Sequence, residues 1–253
     1  LLLLLALAPT LMPTGWIRDR IEAEAKAAGM PLTLEGLSLG WFSGATLEGL
    51  RIPNAEGFSE APLLSIQRIH IDADLPALLS HKVHVRRISV EGLEVSLEQR
   101  AKDGFWNALA LHPAPPVSGS GATTGSGAAP WPVAVDALTV SGKARLLAGG
   151  KTLEIPELSL DTSAPDLLAQ PLRAALKLRV AAGDADWTVQ ADLEGSPSSN
   201  SGSLKATLKG KGLAGLLAPF VPLPAGLDAG DMGLEASFKD GLLNAELTHL
   251  SLK

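Results

Sequence analysis

The fold is decided by Lys82-Val-His-Val-Arg-Arg-Ile-Ser-Val-Glu-Gly-Leu-Glu-Val-Ser-Leu-Glu98. Val83 and Val85, then Ile88 and Val90, then Leu93, Val95 and Leu97 alternate with Lys82, His84, Arg86, Ser89, Glu91, Glu94, Ser96 and Glu98. Alternation of apolar and polar residues with period two is the mark of a strand with one wet and one dry face. Upstream, Ile69, Ile71, Ala73 and Leu75 alternate in the same way with Arg68, His70, Asp72 and Asp74. Downstream, similar runs follow at Val133–Val135, Leu138–Val140, Leu153–Ile155, Leu158–Leu160, Leu172–Val180, Trp187–Leu193, Leu204–Leu208, Met232–Phe238 and Leu242–Leu252. Short strands at close intervals predict a mainly β fold. After the first thirty residues almost no amphipathic helix is present to cover the apolar faces. A one-sided sheet of this length must curl on itself, meet a second sheet, or hold an apolar ligand.

The expectation is therefore a long, curled antiparallel β-sheet forming a taco-like groove, preceded by a membrane anchor and a short helix. The phase of alternation slips at Glu35-Gly36, and the pattern apolar-Glu-Gly-apolar recurs at Leu47–Leu50 and Val90–Leu93. An extra residue keeps the apolar set on one face only if a bulge absorbs it, and glycine suits that geometry.

The division expected along the chain is an anchor remnant at 1–13, a helix and first β region at 14–112, a linker at 113–130, and a second β region at 131–253. Leu1, Leu2, Leu3, Leu4, Leu5, Leu7 and Leu11 belong to an apolar stretch too short to span a bilayer, which needs about 20 residues. They read as the outer end of a longer anchor, and Leu250–Lys253 stops within a strand pattern, so the sequence reads as part of something longer at both ends. Cleavage after Ala6-Leu7-Ala8 is the competing reading, with Pro9 placed unfavourably for it. Trp16 to Ala28 reads as a helix after Thr14, stopped by Gly29 and Pro31, with Trp16 suited to a membrane interface. Pro113–Pro130 is rich in Pro, Ser and Gly and cannot build a core. Leu213–Leu217 reads as a short helix.

Composition narrows the function. The chain of 253 residues is 46% hydrophobic and 19% charged, with net charge -6. Nucleic acid is an improbable partner for a surface without clustered Lys and Arg. Cysteine is absent, which excludes a disulfide framework and thiolate zinc, and fits an oxidising envelope compartment.

No catalytic residue, metal site or cofactor is expected. His70 and His84 occupy polar strand positions, and His81, His112 and His249 complete no ligand set with them. Asp72 and Asp74 share a face, but acid–base work needs a pocket that separates their pKa values. Gly210-Lys-Gly-Leu-Ala-Gly215 matches a dinucleotide fingerprint, with Asp231 some distance on. The strand before it alternates, whereas a parallel central strand is continuously apolar, so it reads as a strand-end turn.

Five segments carry a resemblance to a known family. They are Gly40-Trp-Phe-Ser-Gly-Ala-Thr-Leu-Glu-Gly-Leu-Arg-Ile52, Pro62-Leu-Leu-Ser-Ile66, Leu78-Leu-Ser-His-Lys82, Val85-Arg-Arg-Ile-Ser-Val-Glu-Gly-Leu93 and Gly104-Phe-Trp-Asn107. In this order they resemble the N-terminal part of the AsmA-like family of bacterial envelope proteins, and Pro132–Leu160 is similar to its second strand run. The departures are the shortened anchor and Phe105 before the tryptophan. The resemblance implies a single-pass inner-membrane protein with its bulk in the periplasm. It also implies an apolar-lined sheet similar to TamB relatives and bridge-like lipid transfer proteins, linked to phospholipid movement toward the outer membrane and to outer-membrane integrity. Expected partners are phospholipids and the inner membrane, with outer-membrane or periplasmic proteins as a further class. Expected lipid contacts are Ile69, Ile71, Val83, Val85, Ile88, Val90, Leu93, Val95 and Leu97. The rival expectation is a scaffold or assembly factor for outer-membrane proteins, with a closed β-sandwich core.

Overall fold

The computed structural model describes residues 14–40, 44–73, 83–111, 133–163, 172–183, 185–196, 201–211, 229–239 and 242–252. Helix α1 spans Thr14–Ala27. It ends where Gly29 N donates to Lys26 O and Met30 N to Ala25 O, the paired bonds of a glycine C-terminal cap. The expected stop at Gly29 is thus found.

The strands are β1 (Gly36–Gly40), β2 (Gly44–Ile52), β3 (Leu64–Ala73), β4 (Val83–Glu98), β5 (Val133–Val135), β6 (Ala137–Ala148), β7 (Lys151–Ser163), β8 (Leu172–Ala182), β9 (Ala185–Ser196), β10 (Ser201–Lys211), β11 (Ala229–Lys239) and β12 (Leu242–Leu252). They form one open sheet in the order β1-β2-β3-β4-β6-β7-β8-β9-β10-β11-β12, with β5 prolonging the line of β6 beside β4. Mainly β is therefore correct. Residues 1–13, the expected linker and the expected helix at Leu213–Leu217 lie outside the described residues.

The sheet departs from the antiparallel expectation at one place. β4 pairs with both β5 and β6 in parallel, while every other neighbouring pair is antiparallel. A parallel step needs a crossover of a dozen residues or more, and the segment from Gln99 to Pro132 is long enough to supply it.

The Glu-Gly dipeptides behave as a set. Gly49 and Gly92 have φ of 62° and 64°, a left-handed conformation natural to glycine. A side chain at Gly49 would meet Glu35 Cδ at 2.4 Å, and one at Gly92 would meet Gln67 Cδ at 2.5 Å. The long polar side chains of Glu35, just before β1, and of Gln67 in β3 lie where β2 and β4 have none. The register stays unshifted through this level between β1, β2 and β3, and between β3 and β4. Each strand carries its extra residue in line with its neighbour, at Glu35-Gly36, Glu48-Gly49, Gln67-Arg68 and Glu91-Gly92. Glu48 and Arg68 above this line face the same concavity as Arg51, Ser65 and Glu94 below it, so the polar face stays polar throughout. Only against β6, where Val90 pairs with Val140 and Leu93 with Gly142, does the extra residue become a register shift.

Candidate functional site

Directly opposed residues in a sheet point to the same face, so the register assembles rows of side chains running across the strands. One row is Leu37, Leu47, Ile69, Val90, Val140, Leu160, Leu176, Ala191, Ala206, Leu234 and Leu247. It passes from β1 to β12 without a polar residue. Its neighbour runs Leu39, Ala45, Ile71, Ile88, Leu138, Thr162, Ala174, Leu193, Leu204, Ala236 and Ala245, with Thr162 its one polar member. A third, on the other side of the first, holds Leu50, Ile66, Leu93, Gly142, Leu158, Leu178, Val189, Leu208, Met232 and Leu250. At about 4.8 Å per strand, a path of eleven strands gives rows about 48 Å long.

The expected contact residues fall on this face. Ile69 and Val90 are in the first row, Ile71 and Ile88 in the second, and Leu93 in the third. Val95 stands opposite Leu64 and Ala144, and Leu97 opposite Leu146. All seven are half-buried. Val85 is 8% exposed, held between Ala73 and Val135. Val83 pairs with Val133 at the start of the parallel step. Trp16, expected at a membrane interface, is on α1 and 69% exposed. Among the described residues no helix is long and apolar enough to cross a membrane.

The opposite face carries charge, arranged across strands. Arg68 reaches Glu48 at 3.5 Å and Glu91 at 3.7 Å, Lys143 reaches Glu94 at 2.9 Å, and Lys205 reaches Glu235 at 2.8 Å. Exposed pairs of this kind contribute little individually, but opposed charges help fix which residues face each other. His70 Nδ1 lies 3.0 Å from Thr46 Oγ1, and His84 Nε2 lies 2.7 Å from Asp136 Oδ2. Asp72 accepts from Arg86 Nη2 at 2.6 Å. That hydrogen bond, which outweighs the opposing effect of burial, holds its carboxyl below the ordinary range. It is an ion-paired carboxylate on the polar face of the sheet.

The fingerprint-like glycine also has a local explanation. A side chain on Gly210 would come within 2.6 Å of Trp187 Cγ and 2.3 Å of Asp186 O. Gly210 makes room for the tryptophan opposite it in β9.

The AsmA family profile matches residues 1–211, most of the 253-residue chain. The chain belongs to the AsmA family. Comparison with curated proteins and with solved structures finds no match. AsmA is a bacterial envelope family, so the role of this chain is an envelope-associated one.

In this AsmA-family chain the Gly104–Asn107 segment, which entered the sequence reading only as one of the segments carrying the family resemblance, anchors a buried polar knot. Asn107 is 1% exposed and Glu98 4%. Asn107 Oδ1 accepts from the backbone N of Glu98 and of Ala108, both at 2.9 Å, while its Nδ2 donates to Ser96 O at 2.8 Å and Asn54 Oδ1 at 3.2 Å. Glu98 accepts from Ser59 N at 3.0 Å, from Ser59 Oγ, and from Ser96 Oγ at 3.3 Å. Beside the knot, the Arg100 guanidinium lies over Phe58 and Phe105, at 4.6 and 5.9 Å from the ring centroids. The knot ties the β2–β3 loop, the end of β4 and the start of the crossover into one unit. The signal available in the sequence was the polar Asn107 directly after two aromatic residues.

Burial disfavours the Glu98 carboxylate, but the Ser59 and Ser96 hydrogen bonds and the nearby Arg145 charge outweigh it and lower its pKa. A carboxylate with a lowered native pKa stabilises the fold above its unfolded pKa, and this contribution is lost as pH falls through the native value. Acid unfolding of Glu98→Gln should therefore be less steep below the ordinary glutamate range than that of the parent chain. Equal acid sensitivity in a urea series from pH 7 to pH 3 would contradict this.

Proposed function

We propose that the apolar face binds the acyl chains of phospholipids and conducts them across the sheet. The protein would be held at the inner membrane by the Leu1–Leu11 segment, with its bulk in the periplasm, and would serve outer-membrane integrity. The observation that carries this reading is the set of apolar rows crossing the whole sheet, with no second sheet among the described residues to cover them.

Burying one methylene of an acyl chain stabilises by about 0.8 kcal/mol. Aliphatic rows supply such burial without directed bonds, so successive positions along a row are close in energy and a chain can slide. Strands wrap the lipid while it travels across them, and curling of the sheet would deepen the contact. The charged face stays in water. No step of this process requires a catalytic group.

The test is native mass spectrometry of protein extracted from envelopes, with analysis of the lipid carried. Bound phospholipid at a defined stoichiometry is expected, reduced at least tenfold in Val95→Asp and Val85→Asp. Far-UV circular dichroism reports whether these variants fold, and Leu97→Asn gives a milder change at a half-buried position. Full lipid occupancy in folded variants would overturn the reading. A stable, lipid-free chain that co-purifies with outer-membrane proteins would favour the scaffold reading instead.

A further inference from the structure

The two margins of the sheet, where its strands end, are unlike. β2, β4, β6, β8 and β10 all end at one margin, because β4 and β6 are parallel and the other neighbours antiparallel. Buried residues gather there: Leu63 just before β3, Glu98 at the end of β4, Ala148 at the end of β6, Val180 near the end of β8 and Trp187 near the start of β9. Among the described residues, Val85 is the one buried apolar side chain at the opposite margin. One margin is thus sealed and the other open.

Strand β9 shows the gradient along its own length. Trp187, Val189, Ala191 and Leu193 alternate onto the apolar face. Exposure rises from 1% at Trp187 to 8% at Ala191 and 38% at Leu193. The next position on this face is Gly195, opposite Gly202 of β10, so past Leu193 the face continues as bare backbone on these two strands. Trp187 and Leu193 are six residues apart, about 20 Å at about 3.4 Å per residue. A bilayer core about 30 Å thick holds two layers of acyl chains, so one chain needs about 15 Å. The face between the sealed and open margins is therefore deep enough for one chain laid along the strands. The end of a chain carries no polar group and loses nothing at a sealed margin, whereas a phosphate there would be stripped of water at high cost. A chain laid along a row instead would hold its phosphate over aliphatic side chains.

Resting on the phospholipid reading above, we infer that acyl chains lie along the strands, with their ends stopped at the Trp187 cluster and their glycerol and phosphate groups at the Leu193 margin. Trp187 is then a positioning residue that sets the depth, and with it the chain length, that the face accepts. A lipid moves sideways from strand to strand with its headgroup always in water.

The test uses the full chain carrying Trp16→Phe, Trp41→Phe, Trp106→Phe and Trp131→Phe, which leaves Trp187 as the one indole. Circular dichroism checks the fold. The protein is loaded from phosphatidylethanolamine vesicles whose lipid carries either bromine at the acyl chain end or a nitroxide on the headgroup. The chain-end label should quench Trp187 severalfold more than the headgroup label, and a Leu193→Trp reporter in the same chain with Trp187→Phe should show the reverse. In the otherwise unaltered chain, Trp187→Phe should shift the bound phospholipids seen by native mass spectrometry toward longer acyl chains, which a loss of stability alone would not do. With lipid bound, equal quenching by both labels, stronger headgroup quenching at Trp187, or unchanged chain lengths in Trp187→Phe would each overturn the inference and leave lipid binding standing. Absence of bound lipid in the unaltered chain would remove the phospholipid reading, and this inference with it.

Discussion

Trp187→Ala should lower the free energy of unfolding by about 3–5 kcal/mol. Trp187 is 1% exposed and forms a small core with Val180 and Ala185. Leu153, Ile155, Leu178 and Leu208 pack against it from β7, β8 and β10. Elsewhere among the described residues this sheet has few fully buried apolar side chains, so this cluster concentrates cohesion that a two-layer fold would spread widely. Removal of the indole leaves a cavity that β-strands joined to their neighbours on both sides cannot readily close. Two companion variants separate the causes. Trp187→Phe retains a ring and removes the indole Nε1, which is buried without a hydrogen-bond partner among the described residues, so it should cost much less than alanine. Gly210→Val should be damaging too, because its Cβ meets the backbone at Asp186 and Trp187 as well as the ring. Urea unfolding with unchanged slope is the measurement, and a loss below about 1 kcal/mol for alanine would show that the cluster does not hold these strands together.

The second large effect belongs to Asn107. Asn107→Ala strips partners from the Glu98 and Ala108 backbone N–H groups and from the Ser96 carbonyl. Leaving a buried polar group unpaired costs about 1–3 kcal/mol, so a total of about 2–4 kcal/mol is expected after partial rescue by water. Asn107→Asp keeps an oxygen for the two N–H donors but loses the amide donor, and it sets a second carboxylate near Glu98. It should fail to restore stability at neutral pH. Limited proteolysis gives a local readout, since loosening of the knot should expose the 53–63 loop to cleavage before the strands unfold. Wild-type resistance in that loop for Asn107→Ala would mean that the loop is held by other contacts, Arg100 on Phe58 foremost.

The strands and the face of each inward residue were legible because alternation is a local property. Ile69, Ile71, Ile88, Val90, Leu93, Val95 and Leu97 could be assigned to one surface from the order of residues alone. The parallel step between β4 and β6 was not legible, because nothing in Val133–Leu147 states which edge of which strand it will meet; only the long connection from Gln99 permits it. The pairing of Trp187 with Gly210 was hidden for the same reason. Gly210 read as part of a strand-end turn, and only the partner strand shows that its lack of a side chain makes room for Trp187. The Glu98–Asn107 knot escaped because a charged residue at the end of a strand reads as solvated, and its partners Asn54 and Ser59 lie far back in the sequence. The Glu-Gly slips were visible one at a time, but their alignment is a matter of register.

That alignment behaves like a stacking fault in a crystal. A fault of this kind cannot stop inside one strand; it runs through β1, β2, β3 and β4 and is discharged at the register shift against β6. Parity is the quantity it conserves. Deleting Gly49 alone would turn Leu50 and Ile52 toward water and Arg51 toward the aliphatic rows, although every residue lost was a glycine with no side chain. Loss of Gly92 would do the same to Leu93, Val95 and Leu97. Length changes within this part of the sheet are therefore tolerable in steps of two residues, or as matched single steps in all four strands.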